Sequence, residues 1–192
     1  MRLLSLIFRV IFRNCQSVAS HLRVLRLKML YPGLEIDYRT RIESKVSIVC
    51  VKGGRLRISR SKISFGTCII ADSGSEISIE SSFIGRNCVI TSKKSVRIAE
   101  GCLIAEMVVI RDQDHHLDRR PSPAGSQDAF TSAPIAIESH AWVASKATIL
   151  KGVRIGSHSV IGASAVVNRE VPPGELWVGI PAKFLKKTSP TA

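Results

Sequence analysis

The chain is short of aromatic residues: 2 Trp, 2 Tyr and 6 Phe among 192 positions. A core built on large rings is excluded, and a nucleic-acid surface that interleaves stacking rings with basic side chains is disfavoured. No apolar run approaches the roughly 18 to 20 residues of a membrane-spanning helix, which argues against a transmembrane protein of that kind. Five cysteines (Cys15, Cys50, Cys68, Cys88, Cys102) form no Cys-x-x-Cys pair. An odd, scattered set suits neither a disulfide framework nor a zinc knuckle, and reads as buried thiols in a reducing compartment. Acidic residues are also few, 15 against 28 basic ones, for a formal charge of +13.

What is abundant is small and β-branched. The chain holds 22 Ile, 17 Val and 24 Ser and is 45% hydrophobic, too apolar for a disordered chain. Its length suits one domain with an extension. Many short β segments stacked through small side chains fit this composition. The basic excess points to acidic partners: a phosphorylated cofactor, an anionic polymer or a membrane surface.

Part of that charge sits at the N-terminus. Residues 1–34 carry Arg2, Arg9, Arg13, Arg23, Arg26 and Lys28 and no acid. Leu4, Ile7, Ile11, Cys15, Val18, Leu22, Leu25 and Met29 recur at three- and four-residue steps, which predicts a helix with one apolar stripe ending at Pro32-Gly33. Arg9 and Arg13 interrupt the apolar region, which argues against a signal peptide. Two readings stay open. The helix packs on its own body or a neighbouring subunit, or residues 1–30 lie as a basic amphipathic helix on an anionic membrane.

The fold is carried by a repeat. From Ile137 an aliphatic residue recurs at every sixth position: Val143, Ile149, Ile155, Ile161 and Val167. Four residues after each stands a small or modest side chain: Ala141, Ala147, Val153, Ser159, Ala165 and Val171. The same step links Ile84 to Ile90, and Ile98 to Ile104 and Ile110, with a two-residue slip between the two sets. Ile36, Ile42, Ile48 and Ile63, Ile69 are weaker copies. Six is the wrong period for a helix and too long for simple strand alternation. It suits a three-sided solenoid whose roughly 18-residue coils stack and bury columns of Ile and Val.

With this repeat the chain resembles the hexapeptide-repeat acyltransferases, in the branch of the maltose/galactoside O-acetyltransferases and close to polysaccharide O-acetyltransferases. The resemblance implies an all-β solenoid, a left-handed parallel β-helix, with a helical extension at 1–33, the β-helix at 34–168 and a tail at 169–192. The handedness comes from the family, not from the period.

The register stops at Ile110 and resumes near Pro134, leaving a loop at 111–134. An interruption this long in a tight solenoid points to function. The loop reads Arg111-Asp112-Gln113-Asp114-His115-His116-Leu117-Asp118. It is similar to the family's active-site loop, where a catalytic His follows a corner aliphatic and an Asp lies downstream. The spacing from Ile110 to His115, with Asp118 three beyond, favours His115. An Asp-x-Asp-x pattern met by Asp112 and Asp114 selects His116, which stands where the family has Pro. Both remain candidates for the general base, with Asp114 and Asp118 as acceptor-binding candidates. A sugar hydroxyl is a poor nucleophile, and a neutral imidazole can take its proton as it attacks a thioester.

Trp142 matches an aromatic that the family places beside the active site, and its ring suits a sugar face as well as it suits a plain coil surface. Val171-Pro172-Pro173-Gly174 and Gly179-Ile180-Pro181-Ala182-Lys183 resemble the family's closing signature. By that resemblance acetyl-CoA lies along the C-terminal coils in a groove between subunits of a homotrimer. Ser145 and Ala163 would offer backbone groups to the pantetheine, and Arg169 and Lys183 would meet the phosphates. Lys183, Lys186 and Lys187 also read as a solvated basic tail. Gly156 and Gly162 read as tight corners rather than a phosphate loop. His140 and His158 lie one coil apart and should stack, with no metal expected.

The implied activity is transfer of acetyl from acetyl-CoA to a hydroxyl of a cell-surface polysaccharide or its lipid-linked precursor. The chain lacks the N-terminal domain typical of maltose acetyltransferases and has the basic helix instead, which shifts the expected acceptor away from free small sugars. It would work in the cytoplasm, at the inner face of the membrane if the second reading of the helix holds. The alternatives are a small sugar, amino sugar or antibiotic as acceptor, and a non-catalytic β-helix that binds or scaffolds.

Overall fold

In the computed structural model, residues 17–116 and 130–188 are described. The chain winds as a parallel β-solenoid with three faces, the expected architecture. The first face stacks the strands Leu34–Ile36, Arg55–Ser59, Glu76–Glu80, Ser95–Ile98, Ile135–Ile137 and Arg154–Ile155. The third face stacks six strands from Ser47–Cys50 to Val166–Val167. The second face stacks six coil strands from Arg41–Ile42 to Val160–Ile161 and Glu175–Val178, with Lys183–Lys187 antiparallel beside the last.

The hexad explains this winding residue by residue. In the register Ile63↔Ile84↔Ile104↔Val143↔Ile161, every residue shown is fully buried, so one column of aliphatic side chains runs up the interior. The small partners Ala141, Ala147, Ser159 and Ala165 are buried as well, filling the narrow space beside each corner. Between strands the chain turns through one residue in the left-handed region, including His140, Lys146, His158 and Ser164. This conformation costs a non-glycine residue about 1 kcal/mol or more. These four residues each donate their N–H to the coil below, as in His140 N to Glu100 O (2.9 Å) and Ser164 N to Ser145 O (2.9 Å). The bond between coils offsets the local strain.

The coils are not uniform. Stacked partners are 22 residues apart at Leu34/Leu56, 21 at Leu56/Ile77, 19 at Ile77/Val96 and 18 at Ala136/Arg154. The extra residues lie at the edge between the third and first faces, where strands of four and five residues replace strands of two. The two-residue slip after Ile90 belongs to this edge, at Lys93 and Lys94.

Both ends of the solenoid are covered, as a stacked architecture requires. The helix over residues 17–30 lies on the first coil through Ser20 and Val24, with Leu27 and Tyr31 packed against the core. Ile42 N donates to Ser20 Oγ (2.8 Å), and Arg23 Nη1 donates to Ile42 O (2.8 Å). The stripe residues Val18, Leu22, Leu25 and Met29 are instead 58–78% exposed, so the helix turns a different side to the body. Leu4, Ile7, Ile11 and Cys15 lie outside the described residues. At the other end, a Cβ on Gly156 would come within 2.4 Å of Pro173 N, and one on Gly162 within 2.7 Å of Val178 Cγ1. These glycines permit the close approach of the closing turn.

Cys50, Cys88 and Cys102 are buried and Cys68 is partly so; none is paired among the described residues. Burial pushes the Cys88 and Cys102 thiols up, as expected of structural thiols. No described helix is long and apolar enough to cross a membrane.

Candidate functional site

The solenoid register breaks at the edge between the third and first faces, after the strand Val109–Arg111. There the chain forms an antiparallel hairpin, Gln113–His115 against Phe130–Ser132, with His115 opposite Phe130. Residues 117–129, Asp118 among them, lie outside the described residues.

The base of the hairpin is held by both neighbouring coils. Asp112 is fully buried, and its carboxylate accepts from Lys93 N (2.8 Å), Lys94 N (2.8 Å) and Ser92 Oγ (2.7 Å) in the coil below. Ala133 N donates to Asp112 O (3.0 Å), and Gly152 N, in the coil above, donates to Ala133 O (3.2 Å). Gln113 is buried beside Thr91, and its Oε1 has no partner among the described residues.

Beyond this base the side chains reach solvent. His115 is exposed, with its ring centroid 4.2 Å from that of Phe130 at a 41° tilt. Lys93 Nζ stands 4.2 Å from the Phe130 ring on the cationic side of a pair with Asp72. A line Asp72–Lys93–Phe130–His115 therefore ties the imidazole to the turns below. Lys93 holds the Asp72 carboxyl below the usual carboxylate range, against the opposing effect of burial. Asp114 is exposed and ion-paired to Lys151 of the next coil. His116 follows the strand and is half-buried.

The remaining candidates lie on other parts of the prism. Trp142 is half-exposed on the second face, in an outward column Phe83–Leu103–Trp142–Val160. Ser145 and the exposed Ala163 occupy the edge between the second and third faces, one coil apart. Arg169 is exposed after the last strand of the third face, and Lys183 opens the closing strand opposite Val178. The chain thus gathers His115, His116 and Asp114 on one edge, and Ser145 and Ala163 on another. His140 and His158 do stack, with centroids 5.0 Å apart and rings 20° from parallel.

Sequence reasoning missed Phe130, Lys93 and Lys151. Phe130 is 15 residues from His115 and meets it only through strand pairing. Lys93 and Lys151 reach the hairpin from coils on either side. A sequence signal existed for Asp112 alone, as the first member of the Asp-x-Asp pattern that follows the end of the register at Ile110.

The bacterial transferase hexapeptide family (six repeats) matches residues 134–169. A putative lipopolysaccharide biosynthesis O-acetyl transferase of Escherichia coli K12, WbbJ, is 36% identical over 104 residues, covering 51% of this chain and 53% of that protein. The galactoside O-acetyltransferase of the same strain is 31% identical over 115 residues, covering 59% and 55%. The chain thus spans about half the length of these relatives. A variant of AntD, an N-acyltransferase from Bacillus cereus in complex with dTDP and coenzyme A, shares the fold. Its TM-score is 0.72 at 16% identity, over 85% of this chain and 88% of that one.

Proposed function

We propose that this member of the bacterial transferase hexapeptide family is an acetyl-CoA-dependent O-acetyltransferase, with His115 as general base. The observation that carries the reading is the hairpin, an exposed imidazole on a rigidly anchored projection from an otherwise closed solenoid. The relatives named for lipopolysaccharide and galactoside O-acetylation support a sugar hydroxyl as acceptor.

In this reading His115 takes the proton of the acceptor hydroxyl as its oxygen attacks the thioester carbonyl carbon. The C–S bond then breaks, and the proton passes to the departing thiolate to give CoA and the acetyl ester. Phe130 and the Asp112-anchored base keep the imidazole in place, so little orientational freedom is lost at the transition state. Asp114, Asp118 and Trp142 are proposed to face the acceptor, and His116 is the alternative base. Ser145 and Ala163 are proposed to meet the pantetheine, with Arg169 and Lys183 at the phosphates.

The separation of these groups over two edges supports a site shared between neighbouring protomers of a homotrimer, donor groove on one and hairpin on the next. The exposed apolar column Phe83–Leu103–Trp142 supports such self-association, because an isolated prism would leave it in water. The acceptor proposed is a surface polysaccharide or its lipid-linked precursor, met at the cytoplasmic face of the membrane. The outward stripe of the helix, flanked by Arg26 and Lys28, favours that location over a free small sugar.

The test is acetyl transfer from radiolabelled acetyl-CoA to glycan extracted from a strain deleted for this gene. His115→Ala should lower kcat by about 100-fold or more, the usual share of a general base. Full transfer by both His115→Ala and His116→Ala would overturn the mechanism. Binding of acetyl-CoA without transfer to any glycan fraction would return the chain to a binding role.

A further inference from the structure

A second site-like feature lies away from the hairpin. Between the helix and the first three coils is a cleft of about 680 Å³ whose walls include Ser20, Arg23, Arg41, Lys62, Phe65 and Arg86. It sits at the second face and its edge with the third, whereas the hairpin leaves a later coil at a different edge.

The charge balance of the cleft is one-sided. Its single lining carboxylate, Glu43, is held by Lys62 Nζ (2.9 Å) and by the Phe65 N–H (2.9 Å). Burial pushes the Glu43 carboxyl up, but Lys62, the Phe65 N–H and Arg86 together hold it below the usual range. Glu43 therefore neutralises one cation. Arg23, Arg41 and Arg86 have no ion-pair partner among the described residues, and three guanidinium groups border the same space. Clustering like charges is unfavourable unless an anion joins them.

The walls are also built to hold a ligand. Arg23 is fixed to Ile42 O, and Ile42 N to Ser20, so the helix side of the cleft is rigidly seated on the first coil. Phe65 offers a partly exposed ring, with Lys45 Nζ 5.4 Å from its centroid. A bare phosphate would fill little of this volume. Guanidinium forks suit phosphate oxygens, and the ring suits an attached organic group.

We propose that this cleft binds a phosphate or pyrophosphate ester, distinct from the CoA phosphates. The ester is either a soluble sugar phosphate or the headgroup of a lipid whose bilayer meets the adjacent helix. Binding of such an ester does not depend on acyl transfer, so either can be lost without the other.

The test uses the full chain with CoA at saturation, so that any acyl-donor site is filled. Inorganic pyrophosphate and glucose 1-phosphate are titrated by calorimetry, at low and at high salt. Sedimentation with phosphatidic acid/phosphatidylcholine vesicles forms the lipid arm. Binding should weaken about tenfold for each guanidinium removed by Arg41→Gln and Arg86→Gln, and should fall at high salt. Both positions are exposed, and unchanged circular dichroism and melting would show the variants folded. Arginine-dependent heat with either soluble probe supports a soluble ester. Arginine-dependent sedimentation alone supports a lipid headgroup. If neither arm responds to the two substitutions, or if CoA abolishes all binding, the proposal is overturned. His115→Ala should leave the binding unchanged whatever it does to transfer.

Discussion

Replacing Asp112 with Ala removes the carboxylate on which the hairpin is anchored. The side chain is fully buried, and its oxygens accept from Lys93 N, Lys94 N and Ser92 Oγ at 2.7–2.8 Å. Hydrogen bonds to a charged group contribute about 1.5–3 kcal/mol each, and two of the donors are backbone groups that cannot swing away. Ser92 Oγ keeps a longer contact to Glu76 O (3.4 Å), so its loss is the smallest of the three. The expected cost is about 3–5 kcal/mol, short of the full sum because water can enter at the rim of the turn. Ser92→Ala, which leaves both backbone bonds, should cost about 1 kcal/mol. Urea unfolding gives the global number, and amide exchange at Lys93 and Lys94 gives the local one. Protection of those two amides should drop by more than about 100-fold, since every 1.4 kcal/mol of opening free energy is a factor of ten. If Asp112→Ala unfolds within 1 kcal/mol of the wild type and both amides stay protected, the hairpin is held by something else.

Other outcomes follow from single contacts. A Cβ on Gly85 would lie 2.5 Å from Ala105 C, inside the next coil's backbone, so Gly85→Ala should cost at least about 2 kcal/mol in urea unfolding. Gly74 has open space around it and only its positive φ of 72° to oppose a side chain, so Gly74→Ala should cost about 1 kcal/mol; the reverse order would refute the packing argument. Because Lys93 holds the Asp72 carboxyl below its ordinary 3.8, the pair's contribution is complete above that value and is lost as pH falls through the lower folded pKa. Lys93→Met should therefore flatten the acid limb of a melting-temperature profile below about pH 4 while leaving its slope at neutral pH alone. Leu22→Glu with Leu25→Glu should release the protein from phosphatidylglycerol vesicles without lowering its melting temperature, since both side chains face outward; a folding loss would mean that they pack inside the molecule.

The solenoid was legible because its physics is periodic. Every aliphatic residue at the six-step, from Ile36 to Val167, is buried, since a three-sided coil offers one inward corner per hexad. The slip after Ile90 was visible as a defect in the count, but its position at the third–first edge was not, because period alone cannot number the faces. The helix was legible as a helix over its described part, yet the side it turns inward was not. Ser20 and Arg23 seat it through hydrogen bonds to Ile42, and hydropathy does not weigh such bonds. His115 stood out because the register stops just before it. Phe130 reaches it through strand pairing, while Lys93 reaches Phe130 and Lys151 reaches Asp114 (37 residues apart) through the stacking of coils, which no local spacing encodes.

A β-solenoid commits its backbone N–H and C=O groups to the coils above and below, and its inward side chains to one aliphatic column. Loops that leave the stack are thereby confined to the edges. In this chain the third–first edge already carries long turns in the early coils, at residues 51–54, 72–75 and 93–94, before it opens into the hairpin. Those turns do more than precede the hairpin. The last presents two N–H groups to the Asp112 carboxylate and projects Lys93, itself braced by Asp72, onto Phe130. A projecting loop ordinarily gives up positional precision. Here both strands of the hairpin spring from residues whose height along the prism is set by parallel pairing, Ile110 with Ile149 below the loop and Ile135 with Val96 beyond it. The imidazole of His115 thus borrows the stiffness of the stack, and if it is the proposed general base, substitutions at Asp112 or Lys93 should reduce kcat more than they raise KM, because they loosen the imidazole without removing a contact to the proposed donor or acceptor.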